Sequence, residues 1–245
     1  MEDNLLTIGQ AADYLGVSLM TLRRWDESKK LIAIRKNGGT HRYYRERDLE
    51  LIANDLVKLA NDWVQEKADF PRMYYCQNTA IFQARLIRFE TELMKKDGFE
   101  ELFSLIVAVV GEIGNNSFDH NIGKWPDEPG IFFGYDLKKG IVVLADRGLG
   151  VLKTLRQVRP SLSNHTQALD VAFNEIISGR SPEKRGNGLK YVRDVVKQYP
   201  INLFFTSGDA ELRLKDPEKN LLITRSGILT QGCFATIEFN RNSHK

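Results

Sequence analysis

The side chains best suited to chemistry in this chain fall first on the stretch LIVAVVGEIGNNSFDHN at 105–121, where Glu112, Asn116 and His120 recur every four residues. On a helix that spacing makes one polar stripe, with Ile106, Val109, Val110 and Ile113 on the other side. A polar stripe on so apolar a helix faces either a ligand or a solvent cleft, and a solvated helix face is the plain alternative. Downstream, Asp146 ends the apolar run GIVVLAD and is followed by Arg147-Gly148-Leu149-Gly150. A carboxylate at a strand end can accept a hydrogen bond from an exocyclic amine, and two glycines let the backbone approach a flat ring. Further on, Gly186-Asn187-Gly188-Leu189 opens a helical pattern running through Val196. Glycines just before a helix let several backbone N–H groups point at one anion, and the helix dipole favours the charge, so this stretch reads as a phosphate cradle.

None of these signals is specific alone. D-x-G-x-G occurs in many turns. The glycine cluster has neither the G-K-[ST] of a P-loop nor the downstream strand and acidic partner of a dinucleotide fingerprint.

Taken together, in the order Glu112-x-x-x-Asn116, Asp146-x-Gly148-x-Gly150, Gly186-x-Gly188-Leu189, they resemble the GHKL superfamily of ATPases and kinases, with the likeness extending over residues 78–245. The resemblance implies an α+β architecture: a two-layer α/β sandwich (Bergerat fold) with helices on one face of a mixed sheet and ATP held under a mobile lid. It implies that Asn116 coordinates Mg²⁺, that Asp146 binds the adenine amino group, and that Glu112 orients or deprotonates the attacking oxygen. It further implies that His120 lies near phosphate and that Lys184 and Arg185, at the lid's end, neutralise the terminal phosphate. One departure is visible. Where the family's last strand often begins Gly-Thr, Gly232 is followed by Cys233, and a thiol is a poor hydrogen-bond partner.

The elements that must hold these groups follow from the apolar patterning. GIFFGYD at 130–136 and GIVVLAD at 140–146 read as adjacent strands of a hairpin. A helix is expected over Ala80 to Lys96, stopped by Asp97-Gly98. Residues 151–185 read as a long polar segment. INLFFTS and the charged hairpin ELRLKDPEKNLLITR, turned at Asp216-Pro217, read as further strands.

The first fifty residues form a different unit. Ile8, Ala11, Ala12 and Leu15 make a short amphipathic helix that Gly16 breaks, and Ser18 N-caps a second helix through Leu22 and Trp25. Two short helices joined by such a turn are a helix-turn-helix. Gly38-Gly39 turns a small hairpin, and a third helix begins at Arg45. Ala11-Ala12, Leu15-Gly16-Val17-Ser18, Thr21-Leu22-Arg23-Arg24-Trp25 and Gly38-Gly39-Thr40-His41-Arg42-Tyr43 resemble the winged helix-turn-helix of the MerR family, in its excisionase-like branch. The resemblance implies that the second helix enters the major groove of double-stranded DNA while the wing reaches the backbone or minor groove. Thr21, Arg23 and Arg24 are then the groove-facing candidates, and Lys36, His41 and Arg42 the phosphate contacts. Ser18 and Tyr43 are counted at the same interface, with Trp25 and Tyr43 also serving the small core. One module offers little contact area, so a homodimer or tandem half-sites are expected.

Residues 1–52 are therefore expected to be the winged helix-turn-helix, 53–77 a helical connector and 78–245 the ATP-binding domain. The pattern over 48–68 reads as one amphipathic helix ended by Phe70-Pro71; it is too short for a sustained heptad seam, which favours packing within the chain.

Charge supports this division. The chain carries a formal +3 over 245 residues. Residues 20–47 hold nine Lys or Arg against Asp26, Glu27 and Glu46, a local +6, so the electrostatic partner should be sought there. Two cysteines, Cys76 and Cys233, are too few for a disulfide framework or a zinc site. No apolar run approaches the ~20 residues of a membrane span, and no signal-peptide pattern opens the chain, so a cytoplasmic protein without a membrane partner is expected. The leading functional reading is a DNA-binding regulator coupled to Mg-ATP binding or hydrolysis. The alternative is a protein Ser/Thr kinase of the anti-sigma-factor type, acting on a partner encoded nearby as a toxin or defence kinase would. A third is a DNA-binding protein whose ATP fold is degenerate.

Overall fold

The computed structural model describes residues 4–15, 17–36, 39–53, 55–66, 72–175, 188–215 and 220–240. By its contacts the chain divides into two compact units, Met1–Tyr75 and Cys76–Lys245.

In the first unit, strand β1 (Leu5–Thr7) leads into α1 (Ile8–Leu15) and α2 (Leu19–Glu27), then β2 (Tyr43–Arg45), α3 (Glu46–Ala53) and α4 (Leu56–Glu66). The helix start at Ser18 is a side-chain cap: its Oγ accepts from the Thr21 N–H at 3.0 Å. β1 pairs antiparallel with β2, Leu5 opposite Arg45 and Thr7 opposite Tyr43, and an isolated bridge joins Ile34 to Tyr43. This small sheet pins the segment between α2 and α3 to the chain's start. Gly16 and Gly38 lie outside the described residues, as does the Phe70-Pro71 stop. The single helix expected over 48–68 is in fact two. Asp55 accepts from the Lys58 N–H at 3.0 Å through its side chain and from the Leu59 N–H through its carbonyl, which starts a new helix at Leu56.

In the second unit, α5 (Thr79–Met94) is capped by Asn78, whose Oδ1 accepts from the Ile81 N–H at 3.0 Å. α6 (Phe103–Asn121) carries the polar stripe. The hairpin β4 (Ile131–Asp136) and β5 (Ile141–Asp146) follows, with Ile131 opposite Asp146. Then come α7 (Gly150–Leu155), α8 (His165–Asn174), α9 (Gly188–Gln198) and the long hairpin β6 (Ile201–Leu214) and β7 (Leu222–Phe239). The sheet order is β3-β4-β5-β7-β6, β3 being the two-residue strand Tyr75–Cys76 at its edge. Asp216-Pro217 lies outside the described residues.

Two expectations need correction. The sheet is antiparallel at the pairings β4–β5, β5–β7 and β6–β7, not mixed; two of those pairs are hairpins, which can close in no other sense. The segment 151–185 is not a featureless polar stretch. It includes α7 and α8, which bury Leu152, Leu155, Leu162, Ala168 and Val171 in a small core of their own. The main core is one cluster in which Phe82 and Phe89 of α5, Ile106, Val109, Val110 and Ile113 of α6 and Val192 and Val196 of α9 meet Phe133, Leu144, Phe205 and Ile237 of the sheet. Burial of one face of α6 in that core turns its opposite stripe outward, where Glu112, Asn116 and His120 are half-buried.

Candidate functional site

The stripe on α6 meets the start of α9. Gly188, the first residue of α9, sits so close that a methyl group added there would overlap the Glu112 carboxylate and come within 3.2 Å of Asn116 Nδ2. A side chain at 188 would require the Glu112 carboxylate to move. Leu189 is half-buried and packs on the main core. Lys184, Arg185, Gly186 and Asn187 lie outside the described residues. His120 lies on the same stripe, two turns beyond Glu112 and away from the Gly188 contact in sequence.

Asp146 reaches this region through the residue next to Asn116. Its side chain is buried at the end of β5, 1 % exposed, and accepts three bonds: from Ser117 Oγ at 2.7 Å, from the Gly148 N–H at 2.8 Å, and from the Cys233 N–H of β7, its neighbour in register. Burial pushes its carboxyl up to about 6; the Ser117, Gly148 and Cys233 donors oppose that rise without cancelling it. The turn after Asp146 is fixed by Asn121. Its Oδ1 accepts from the Leu149 N–H at 2.8 Å, its Nδ2 donates to the Ser117 carbonyl at 2.7 Å, and a side chain at Gly148 would overlap it. Gly150, at φ +75°, begins α7, and Ser207 of β6 accepts from the Val151 N–H at 2.9 Å while donating to the Gly232 carbonyl at 2.8 Å.

Glu112, Asn116 and Gly188 thus share one contact, and Asp146 is tied to the same helix one residue along. Ser117, Asn121 and Ser207 escape the reading of the sequence. The available signal for the first two was the four-residue spacing of Ser117 and Asn121, a second polar row beside the first. Cys233 lies opposite Asp146 and Ser207, its thiol 3.8 Å from Ser207 Oγ and held well above the ordinary thiol range by burial and by the Asp146 charge. It bonds Asp146 through its backbone and leaves the carboxylate without a side-chain hydroxyl from that position.

In the first unit the basic residues are not all equivalent. Asp26, with a side chain 6 % exposed, accepts from the Ala33 N–H at 2.9 Å, from Arg35 Nη2 at 2.7 Å and from Arg42 Nε at 2.7 Å. Burial alone would raise its carboxyl, but these donors outweigh it and hold the group below the usual range. Arg42, expected to contact phosphate, gives its Nε–H to Asp26, while its side chain stays 24% exposed. Thr21 does not face a groove either. It is 2 % exposed, its hydroxyl 2.8 Å from Ser18 Oγ, because burial of Leu22 and Trp25 carries it inward on the same side of the helix. Ser18, whose Oγ is engaged in the cap, is itself exposed; so are Arg23, Arg24, Lys36 and His41. Trp25 is in the core as expected; Tyr43 is half-buried with Lys36 Nζ 4.7 Å from its ring centroid, and the tyrosine in the core is instead Tyr44, its hydroxyl donating to the Leu22 carbonyl at 3.2 Å.

Residues 5–54 match the model of the helix-turn-helix domain. That span runs from β1 to the end of α3 and includes every residue proposed above to meet DNA. Over 60 residues the chain is also 33% identical to the Type II methyltransferase M.Eco47II of Escherichia coli, a match covering 24% of this chain and 14% of that protein. The chain therefore spans about a seventh of that relative's length. Among the described residues no helix is long and apolar enough to cross a membrane.

Proposed function

We propose that this chain is a DNA-binding regulator whose MerR-like helix-turn-helix head is governed by Mg-ATP binding or hydrolysis in a GHKL-type C-terminal domain. The observation that carries the nucleotide half is the contact of Gly188 with Glu112 and Asn116 on the helix whose next residue, Ser117, holds Asp146. A glycine at a helix start beside a carboxamide suits phosphate with a hard cation, since Mg²⁺ takes oxygen ligands and keeps substrate phosphates among them. A buried carboxylate that accepts two backbone donors and one hydroxyl retains acceptor capacity for a purine amine. Glu112 supplies the carboxylate that orients an attacking oxygen. The nucleic-acid half rests on the helix-turn-helix match and on the local charge of the head.

Thermal denaturation and calorimetry with Mg-ATP test this reading. The wild-type chain should be stabilised, Asn116→Ala should lose the effect, and Glu112→Ala should bind without turnover. Absence of any Mg-ATP response in the wild type overturns the nucleotide half. γ-Labelled ATP then separates two outcomes: label released to solution marks an ATPase, and label retained on protein marks the Ser/Thr kinase alternative.

A further inference from the structure

The outward face of α2 has an unusual composition for a surface in a basic region. Thr21, Leu22 and Trp25 are buried, which leaves Met20, Arg23, Arg24 and Glu27 on the opposite side, with Leu19 at the first helical position. Met20 is 65% exposed and Leu19 45%. The Ser18 and Thr21 hydroxyls engage each other, and Ser18 Oγ also accepts from the Thr21 N–H, so the first turn presents the apolar side chains of Leu19 and Met20 outward. Arg23 and Arg24, three and four residues beyond Met20, lie on the same outward side, placing guanidinium groups beside the apolar tip.

Resting on the proposal that the head binds duplex DNA, we infer that Leu19 and Met20 contact the C5-methyl groups of thymines in the major groove, making thymine content beneath the first turn of α2 the determinant of the preferred site. The N-terminal residues of a recognition helix are those that meet base edges. The thymine methyl is the apolar feature of the major groove, and it is read by apolar contact without hydrogen bonds. The neighbouring arginines complement the adjoining guanine edges or phosphates, which gives the patch one occupant that matches both its apolar and its charged parts. A long unbranched Met side chain adapts to a methyl group whose exact position varies with local DNA shape.

The test uses the full chain and duplexes selected by it from a random-sequence pool. Replacing every thymine of a selected duplex by deoxyuridine removes the methyl groups and keeps the base pairing. Affinity should fall about fourfold for each thymine methyl taken out of the interface, and single replacements should locate the sensitive positions. Met20→Ala and the polar, similarly shaped Met20→Gln should bind thymine and uracil duplexes alike at the position that Met20 reads, with unchanged thermal stability because the residue is exposed. Equal affinity of the wild type for thymine and uracil duplexes overturns the inference while leaving DNA binding intact. So does a thymine preference that survives in both Met20 variants and in Leu19→Ala. Failure to enrich any duplex overturns the DNA reading itself and this inference with it.

Discussion

Ser117 donates its hydroxyl to Asp146 Oδ2 at 2.7 Å, so the carboxyl that ends β5 is held from the helix that carries Glu112 and Asn116. Because burial raises that carboxyl from its ordinary 3.8 to about 6, the folded chain binds the Asp146 proton more tightly than the unfolded chain does. The residue's contribution to stability is therefore full below about pH 4 and is lost as pH rises through about 6, by a total of about 3 kcal/mol. Urea unfolding of the wild type and Asp146→Asn across this range should show the difference between them falling toward neutral pH and then levelling. Ser117→Ala should cost about 1–3 kcal/mol where the carboxylate is charged and less at pH 5.

Gly188 and Glu112 cannot both keep their positions if a methyl group is added at 188. Gly→Ala at a helix start is ordinarily neutral or stabilising; here it should weaken Mg-ATP binding about tenfold or more and give no gain in thermal stability. The reason is the overlap with the carboxylate, so the double variant Gly188→Ala, Glu112→Ala should recover binding relative to Gly188→Ala. Calorimetric titration of the four chains closes the cycle. Strict additivity would show that the two positions do not communicate.

The parts of this arrangement that were legible in the sequence are those encoded locally. Four-residue spacing placed Glu112 and Asn116 on one face of α6, and the apolar run before Asp146 placed it at a strand end. The missing parts depend on partners far along the chain. Ser117 meets Asp146 29 positions away, and Ser207 meets Gly232 25 positions away, pairings that no local period announces. α7 and α8 were hidden because each is short and their buried residues form a small separate core. Thr21 reads as polar between Met20 and Leu22, yet the Ser18 cap absorbs its hydroxyl and lets it go inside. Tyr43 and Tyr44 illustrate the strand's alternation: adjacent tyrosines take opposite sides, and only pairing with β1 decides which is core.

Asp26 is the fastening point of the helix-turn-helix domain, joining α2 to Ala33, Arg35 and Arg42. Its carboxyl is held below 3.8, so its contribution is present above that value and is lost as pH falls through the lower folded value. Asp26→Asn keeps an acceptor for the Ala33 N–H but sets an amide donor or a neutral oxygen against two guanidinium groups. A loss of about 2 kcal/mol is expected at neutral pH, with a shallower acid transition than in the wild type. Thermal melts of both chains between pH 3 and 7, followed by circular dichroism, measure it; equal melting temperatures at neutral pH would remove Asp26 from this role.

Arg23 and Arg24 are exposed on the outward side of α2. If either meets a DNA phosphate, its replacement by alanine should weaken binding uniformly across duplex sequences and lower the slope of log affinity against log salt by about one. If it reads a guanine edge, the loss should fall on one base position, at about 1–3 kcal/mol, with little change in the salt slope. Filter-binding titrations of Arg23→Ala and Arg24→Ala at several salt concentrations, on a selected duplex and on a scrambled one, separate the two roles for each residue. Asp26 partly neutralises Arg35 and Arg42, so these two variants should lose more affinity than Arg35→Ala. A larger loss in Arg35→Ala would place the DNA beside residues 35–42 instead.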